Sequence, residues 1–277
     1  MISSAIIFSN ITFIYGLAVL FYISAWVFKK ELPSKLGTAA ILVAAIGNLA
    51  GIILRWVESY QMGYGHAPLS NLYESLVFFA FCIAALYLFL DWRYKLRIIG
   101  ILASLMAFLA MAYASLPKVN SAIEPLIPAL QSNWLIAHVL TCFVGYAGFA
   151  MAFGISIMYF IKSGARPPEG GVTRRIPHTD ILDELTHQMV MFGFLFLSVG
   201  IITGAVWANQ AWGRYWGWDP KETWSLITWL IYATLLHARL MRGWTGKQIA
   251  ILSCAGFIAV IFTYFGVNLL PGLHSYQ

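Results

Sequence analysis

The residues best suited to chemistry are a dense tryptophan segment and six histidines. Trp207 to Trp229 reads WANQAWGRYWGWDPKETWSLITW and holds six of the 11 tryptophans. Trp212, Trp216 and Trp218 stand within seven residues, interleaved with Gly213 and Gly217. An indole offers a large flat apolar face and one N–H donor, and it favours sites that are dry at one end and wet at the other. Glycine permits close approach, while Arg214, Asp219, Lys221 and Glu222 supply polar grip. Such a plate suits a flat, amphipathic, acidic ligand, and haem has that chemistry. A general aromatic belt would instead spread over all helix ends.

Imidazole is the usual protein ligand for haem iron. His138 falls about one turn into a predicted fifth helix, and His274 lies in the tail Pro271–Gln277. Both are expected at the depth of the tryptophan segment, where two imidazoles can clamp an iron above an indole shelf. The competing reading of each is an interfacial polar residue. His237 lies 14 residues beyond Thr223, so roughly 21 Å along a helix. A titratable group that deep in a membrane is a functional candidate, with an interhelical hydrogen bond as the alternative. His187 serves as its partner only if the sixth and seventh helices approach closely; otherwise a second ligand must come from another chain. His178 reads as solvated, and His66 as an ordinary loop residue. Cys82, Cys142 and Cys254 read as small buried residues. With no CxxC and no CxxCH in the sequence, the chain is neither a dithiol oxidoreductase nor itself a c-type cytochrome.

The elements that must position these residues are membrane helices. Of 277 residues, 60% are hydrophobic and only 10% are charged, a composition foreign to soluble domains. Apolar runs cover Ile6–Phe28, Thr38–Val57, Leu72–Leu90, Ile98–Leu116, Trp134–Ile161, Leu185–Trp207, Thr223–Leu240 and Gln248–Leu269. Each is near the ~20 residues a spanning helix needs. The expected fold is therefore all-α, a polytopic integral membrane protein of about eight transmembrane helices forming one domain over residues 1–277. If the N-terminus faces outward, 13 of the 17 basic residues lie inside and four outside, as the positive-inside rule requires. Both termini and the tryptophan-rich loop 207–224 are then on the outer side, and the first helix is a retained anchor. Because the basic residues are split among short loops, the net charge of +6 gives no case for nucleic-acid binding. Asp219 is expected to cap the seventh helix with Pro220 in its first turn, and Thr179 or Asp180 to cap the sixth. Gly47/Gly51 and Gly200/Gly204 have the small-xxx-small spacing of helix packing.

WGRYWGWDPKETW is similar to the tryptophan-rich signature of the haem-handling family of cytochrome c biogenesis. The WDPKETW form followed by SLITWLIYATLLHAR, and the upstream GHAPLSNLYESLVFF, resemble its CcsA branch, also called ResC or, in some bacteria, CcsB. The resemblance runs from about Ala39 to the end of the chain. It implies a subunit of a System II cytochrome c synthase, a haem lyase that works with a ResB-type membrane partner. Haem b (iron protoporphyrin IX) would be moved to the outer side and joined to the two thiols of CxxCH in apocytochrome c, with thiol reductants as further partners. The setting would be the bacterial inner (plasma) membrane, its active face toward the periplasm or cell exterior. Residue by residue, His138 and His274 match the outer haem-ligating pair and His237 the intramembrane histidine. Trp212, Trp216, Trp218 and Asp219 match the haem-holding loop, where Arg214 or Lys221 would offset propionate charge. The other intramembrane ligand would reside on the partner. Two alternatives compete. One is a haem exporter without ligase chemistry. The other is a bis-His b-type membrane cytochrome, which needs paired deep histidines where only His237 is deep.

Overall fold

A computed structural model describes residues 3–164 and 176–270. His274 and the loop residues Arg166, Arg174 and Arg175 lie outside the described residues. The described chain contains eight long helices and no strand: α1 (Ser4–Phe28), α2 (Glu31–Gln61), α3 (Leu72–Tyr94), α4 (Gly100–Ala114), α5 (Asn133–Ser163), α6 (Thr179–Trp212), α7 (Pro220–Arg242) and α8 (Lys247–Tyr264). Seven are long and apolar enough to cross a membrane, α4 with the 3-10 turn before it. The eighth, α7, has acidic and basic residues in its first and last turns and a mixed face between. The protein is thus an all-α integral membrane protein, as its apolar runs predict.

Helix ends differ from the apolar runs for local reasons. α2 starts at Glu31, well before Thr38, because the chain reverses in a single tight step: Lys29 takes the left-handed conformation at the end of α1. α6 begins at Thr179 with His178 at its N-cap and no side-chain capping bond, so neither Thr179 nor Asp180 caps it.

Two compact units divide the chain, residues 1–131 and 132–277. In the first, α1, α2, α3 and α4 pack around Tyr15, Ile41, Ile83 and Tyr87. One end of this unit is built on a buried ion pair. Arg55 Nε donates to Glu74 Oε1 at 2.8 Å, with the two side chains only 3% and 1% exposed. The same guanidinium donates to the carbonyls of Ser121 and Ala122 and lies over the Tyr73 ring. Glu74 also accepts from the backbone and hydroxyl of Ser70. His66 adds a second fastening, its ring nitrogens meeting the carbonyls of Ala67 and Glu124. The connection between α4 and α5 is thereby strapped to the turn between α2 and α3, which gives His66 a structural role.

In the second unit α5 and α6 lie against each other, and α7 and α8 close the bundle. Glycines set the α5–α6 distance. A Cβ on Gly145 would come 3.0 Å from the Gly193 carbonyl, and one on Gly193 would come 2.6 Å from the Phe149 ring. Phe149 in turn stacks on Tyr232 of α7 at 3.6 Å. At one end of the unit Arg239 of α7 bonds Asp183 and Glu184 of α6, and Asp183 accepts the backbone N–H of Gly246.

Removing one partner of a buried ion pair leaves the other charge uncompensated, at a cost of about 3–5 kcal/mol. Glu74→Ala is expected to lower the thermal unfolding midpoint in detergent sharply. Arg55→Met/Glu74→Leu should recover part of that loss. A midpoint for Glu74→Ala equal to wild type would deny the pair its role.

Candidate functional site

The tryptophan loop is fixed at both ends. α6 stops at Trp212 because Gly213 turns left-handed (φ 74°) and returns its N–H to the Asn209 carbonyl. α7 starts on a capping box, as Asp219 and Pro220 foretell: Asp219 Oδ1 accepts from the Lys221 N–H, and Glu222 reaches back to the Asp219 N–H. Glu222 Oε2 also accepts from Gly217 N–H at 2.7 Å. Asp219 is buried, so its carboxylate shapes the loop from within. Between the two ends, Trp218 has φ 56°, a conformation that costs a non-glycine residue roughly 1–2 kcal/mol. That strained residue is 69% exposed. Trp216 meets Trp218 edge to face, with ring centroids 5.7 Å apart. Arg214 is exposed, and its guanidinium rests on Gly217, where a Cβ would come within 2.7 Å.

His138 lies at the same end of this unit. Its Nδ1 is 2.7 Å from the carbonyl of Gly200 on α6. A carbonyl can only accept, so Nδ1 is the donor in this contact. Trp207, buried on α6, lies nearly parallel to the imidazole at 5.9 Å and 19°. Trp212 meets Trp207 edge-on at 5.0 Å. The hydroxyl of Ser132, one residue before α5, donates to Gln210 near the end of α6, tying the start of α5 to the loop.

His138, Trp207 and Trp212 thus form one cluster, and Trp216 with Trp218 a second pair inside the loop. Gly200, Gly204 and Cys142 are the additions that structure makes to the site, and Trp207, the first indole of the tryptophan segment, gains His138 as its neighbour. The sequence marks Gly200/Gly204 as helix packing and Cys142 as a small buried residue, and spacing within α6 does not say which helix it faces. His237 lies toward the other end of α7. It is exposed, on a stripe with Leu230, Thr234 and Met241. His187 is buried, among the charges of Asp183, Glu184 and Arg239, and its Nδ1 has no hydrogen-bond partner among the described residues. One faces into the unit and the other away from it, so the two do not form a deep pair. The described residues hold no group of three or more His, Cys, Asp or Glu side chains able to bind a metal ion.

A family model described as cytochrome C assembly protein matches residues 69–274. The chain belongs to the cytochrome c assembly protein family. Among its relatives is the cytochrome c biogenesis protein CcsA of Chlamydomonas reinhardtii, 44% identical over 85% of this chain and 67% of that one. The CcsA protein of Synechococcus sp. (strain CC9311) is 38% identical over 91% of both chains. That of Guillardia theta is 38% identical over 97% of this chain and 95% of its own. These matches bear out the resemblance to the CcsA branch and give the chain a role in cytochrome c maturation. Among solved structures, the cytochrome c haem lyase CcmF shares the fold, with a TM-score of 0.68 at 15% identity. That alignment covers 97% of this chain and 51% of CcmF, so the chain spans about half the length of that protein.

Loss of an N-cap carboxylate costs about 1 kcal/mol. Asp219→Ala and Glu222→Ala are each expected to speed amide hydrogen exchange over residues 213–223 while the helices keep their protection. Uniform exchange changes across the whole chain, or none in the loop, would remove the capping box as its anchor.

Proposed function

We propose that this chain is the haem-presenting subunit of a cytochrome c synthase. It takes haem b as cargo and substrate, carries it past His237, and holds it at the tryptophan loop with His138 and His274 on the iron. The observation that carries the reading is the His138 hydrogen bond to Gly200, made beside the Trp207–Trp212 pair. It gives the ring the tautomer a metal ligand needs, with the other ring N–H held by a backbone carbonyl as in many metal sites. The indoles of Trp212, Trp216 and Trp218 supply apolar faces for a macrocycle. Asp219 acts by shaping the loop, and the exposed Arg214 supplies positive charge for the propionates. The active face is the outer side of the membrane, where both termini also lie; in a bacterium this is the plasma membrane facing the periplasm or exterior.

The chemistry is addition of two apocytochrome thiols across two vinyl groups. Each S–H bond and each C=C π-bond is lost, one C–S and one C–H bond form, and no electrons are gained or lost overall. When bound, haem supplies the vinyl electrophiles and the iron that the CxxCH histidine takes over. The chain's residues position: the indoles hold the ring plane, His138 and His274 hold the iron, and the fixed geometry raises the effective concentration of reactants. A ResB-type partner completes the synthase and supplies the second deep ligand, opposite His237. Thiol reductants keep the CxxCH cysteines reduced.

Coexpression with that partner and a CxxCH reporter tests the reading. A covalent, pyridine-haemochrome-positive reporter is expected. Haem that stays fully extractable would mean export without ligation. His138→Ala and His274→Ala should each lose the low-spin haem spectrum and the reporter, with partial return on adding imidazole. An unchanged spectrum and yield would reject the clamp. His237→Ala should lower haem content throughout, because passage precedes docking; normal loading would take His237 off the route.

A further inference from the structure

His138 is seated on α6 by a group of residues that share one face of that helix. Gly200, Thr203, Gly204 and Trp207 follow the i, i+3, i+4, i+7 spacing of a helical stripe. Each does something different. The Gly200 carbonyl accepts the imidazole N–H at 2.7 Å, while the Thr203 hydroxyl, 3.1 Å from it, makes its shorter bond to the Val199 carbonyl at 2.9 Å. Gly204 makes room for the ring itself: a Cβ there would stand 2.6 Å from Nδ1 and 2.8 Å from Cε1 of His138. Gly200 makes room one turn further along α5, where its Cβ would stand 2.6 Å from the Cys142 sulfur. Trp207 forms a near-parallel wall at 5.9 Å.

Helix packing alone does not require this arrangement. Small residues let two helix backbones approach, yet at Gly204 the near neighbour is the imidazole and not the backbone of α5. A helix carbonyl already occupied by its own ladder has a second lone pair, and the missing Cβ of Gly204 lets a ring from the neighbouring helix reach that of Gly200. The glycine pair therefore does two things at once. It opens the carbonyl to a donor, and it leaves space for a flat ring to lie against the helix.

We infer that Gly200, Gly204 and Trp207 form a positioning device for His138, which locks the Nδ1–H tautomer and reserves Nε2 as the ligating nitrogen. The claim about the tautomer concerns the chain alone, and its purpose rests on the proposed role of His138 as a haem ligand. Gly204 and Trp207 are positioning residues, since they act on iron only through the imidazole. Second-layer groups of this kind are worth about 10- to 100-fold in metal affinity. An imidazole free to turn, or to carry its proton on Nε2, would have to give up that freedom or that proton each time it bound.

The test uses the full chain in detergent, without haem, labelled with 15N in its histidines. The His138 resonances are assigned by their loss in His138→Gln. Wild type should show a protonated Nδ1 and an unprotonated Nε2, whereas an unconstrained imidazole favours the opposite tautomer. In Gly204→Ala the Nδ1–H form should be lost. Gly47→Ala tightens a small-residue helix contact in the other unit, where a Cβ would stand 3.1 Å from the end of the Ile11 side chain, and should retain the wild-type tautomer. On adding haem b, Gly204→Ala should hold it about 10- to 100-fold more weakly, with recovery in imidazole, and Gly47→Ala should behave as wild type. An Nε2–H tautomer in wild type overturns the proposal, and that measurement needs no variant to fold. Equal loss of tautomer and haem in both variants also overturns it, because close packing alone would then explain the stripe. If wild type carries Nδ1–H and Gly204→Ala loses it while His138→Ala binds haem normally, the seat stands and the ligand role fails.

Discussion

The close approach of α5 and α6 is the constraint on which the second unit depends. Gly145, Gly148 and Gly193 bring the two backbones together in mid-helix, and Gly200 and Gly204 continue the contact to the tryptophan end. Every long-range feature of the site follows. The distance places the Gly200 carbonyl within reach of His138. It sets Trp207 against the imidazole, and it carries the end of α6 to the point where Gly213 must turn the chain. In an apolar surrounding, a polar ring without partners costs several kcal/mol on hydrocarbon scales, so the hydrogen bond and the helix spacing support each other.

The loop solves a different problem, which is how to show flat apolar faces at a wet boundary without their collapsing inward. Its acidic residues are turned toward the backbone. Glu222 holds the N–H groups of Gly217 and Asp219, and Asp219 holds that of Lys221. These bonds satisfy orphan donors at the start of α7 and set negative charge at the positive end of the helix dipole. They also over-determine the path of residues 217–222, which is the condition for a strained backbone to persist. Trp218 uses that condition. Its left-handed backbone turns an indole outward, where a relaxed one could fold against the helices. With both carboxylates occupied by backbone donors, the side-chain charge the loop offers outward is the cationic Arg214.

Much of the fold is legible in the sequence, because membrane helices announce themselves by apolar length. All eight appear where the runs predict, and the Asp219–Pro220 start of α7 is readable from residue types that suit only an N-cap and a first turn. Ends are less legible. Glu31–Gly37 is polar enough to look like a loop, yet it continues as helix because Lys29 turns the chain so sharply. The site is legible in its indoles and in His138, whose types carry their chemistry. Gly200 and Gly204 are not, since their meaning depends on the helix they face. The same holds for Arg55, whose burial against Glu74 depends on how α2 meets α3. Local patterns report what a residue is, and partners across an interface report what it does.

His237 presents the converse case, a residue whose type is suggestive and whose surroundings are incomplete. α7 buries Thr228, Tyr232, Leu235 and Ala238 and turns Leu230, Thr234, His237 and Met241 away from its own unit. An imidazole on an outward helix face at membrane depth is expensive in lipid and calls for a partner. His187 does not supply one, being buried among Asp183, Glu184 and Arg239. The composition of α7 bears on the same point. Among the eight long helices it alone falls short of the apolar character of a lipid-facing span, although its position between α6 and α8 makes it integral to the bundle. The outward stripe of α7 joins Thr234 and His237 to Leu230 and Met241, and Arg242 is exposed in the last turn. In the proposed synthase, a second chain shields this face of α7 and brings its own ligand to His237.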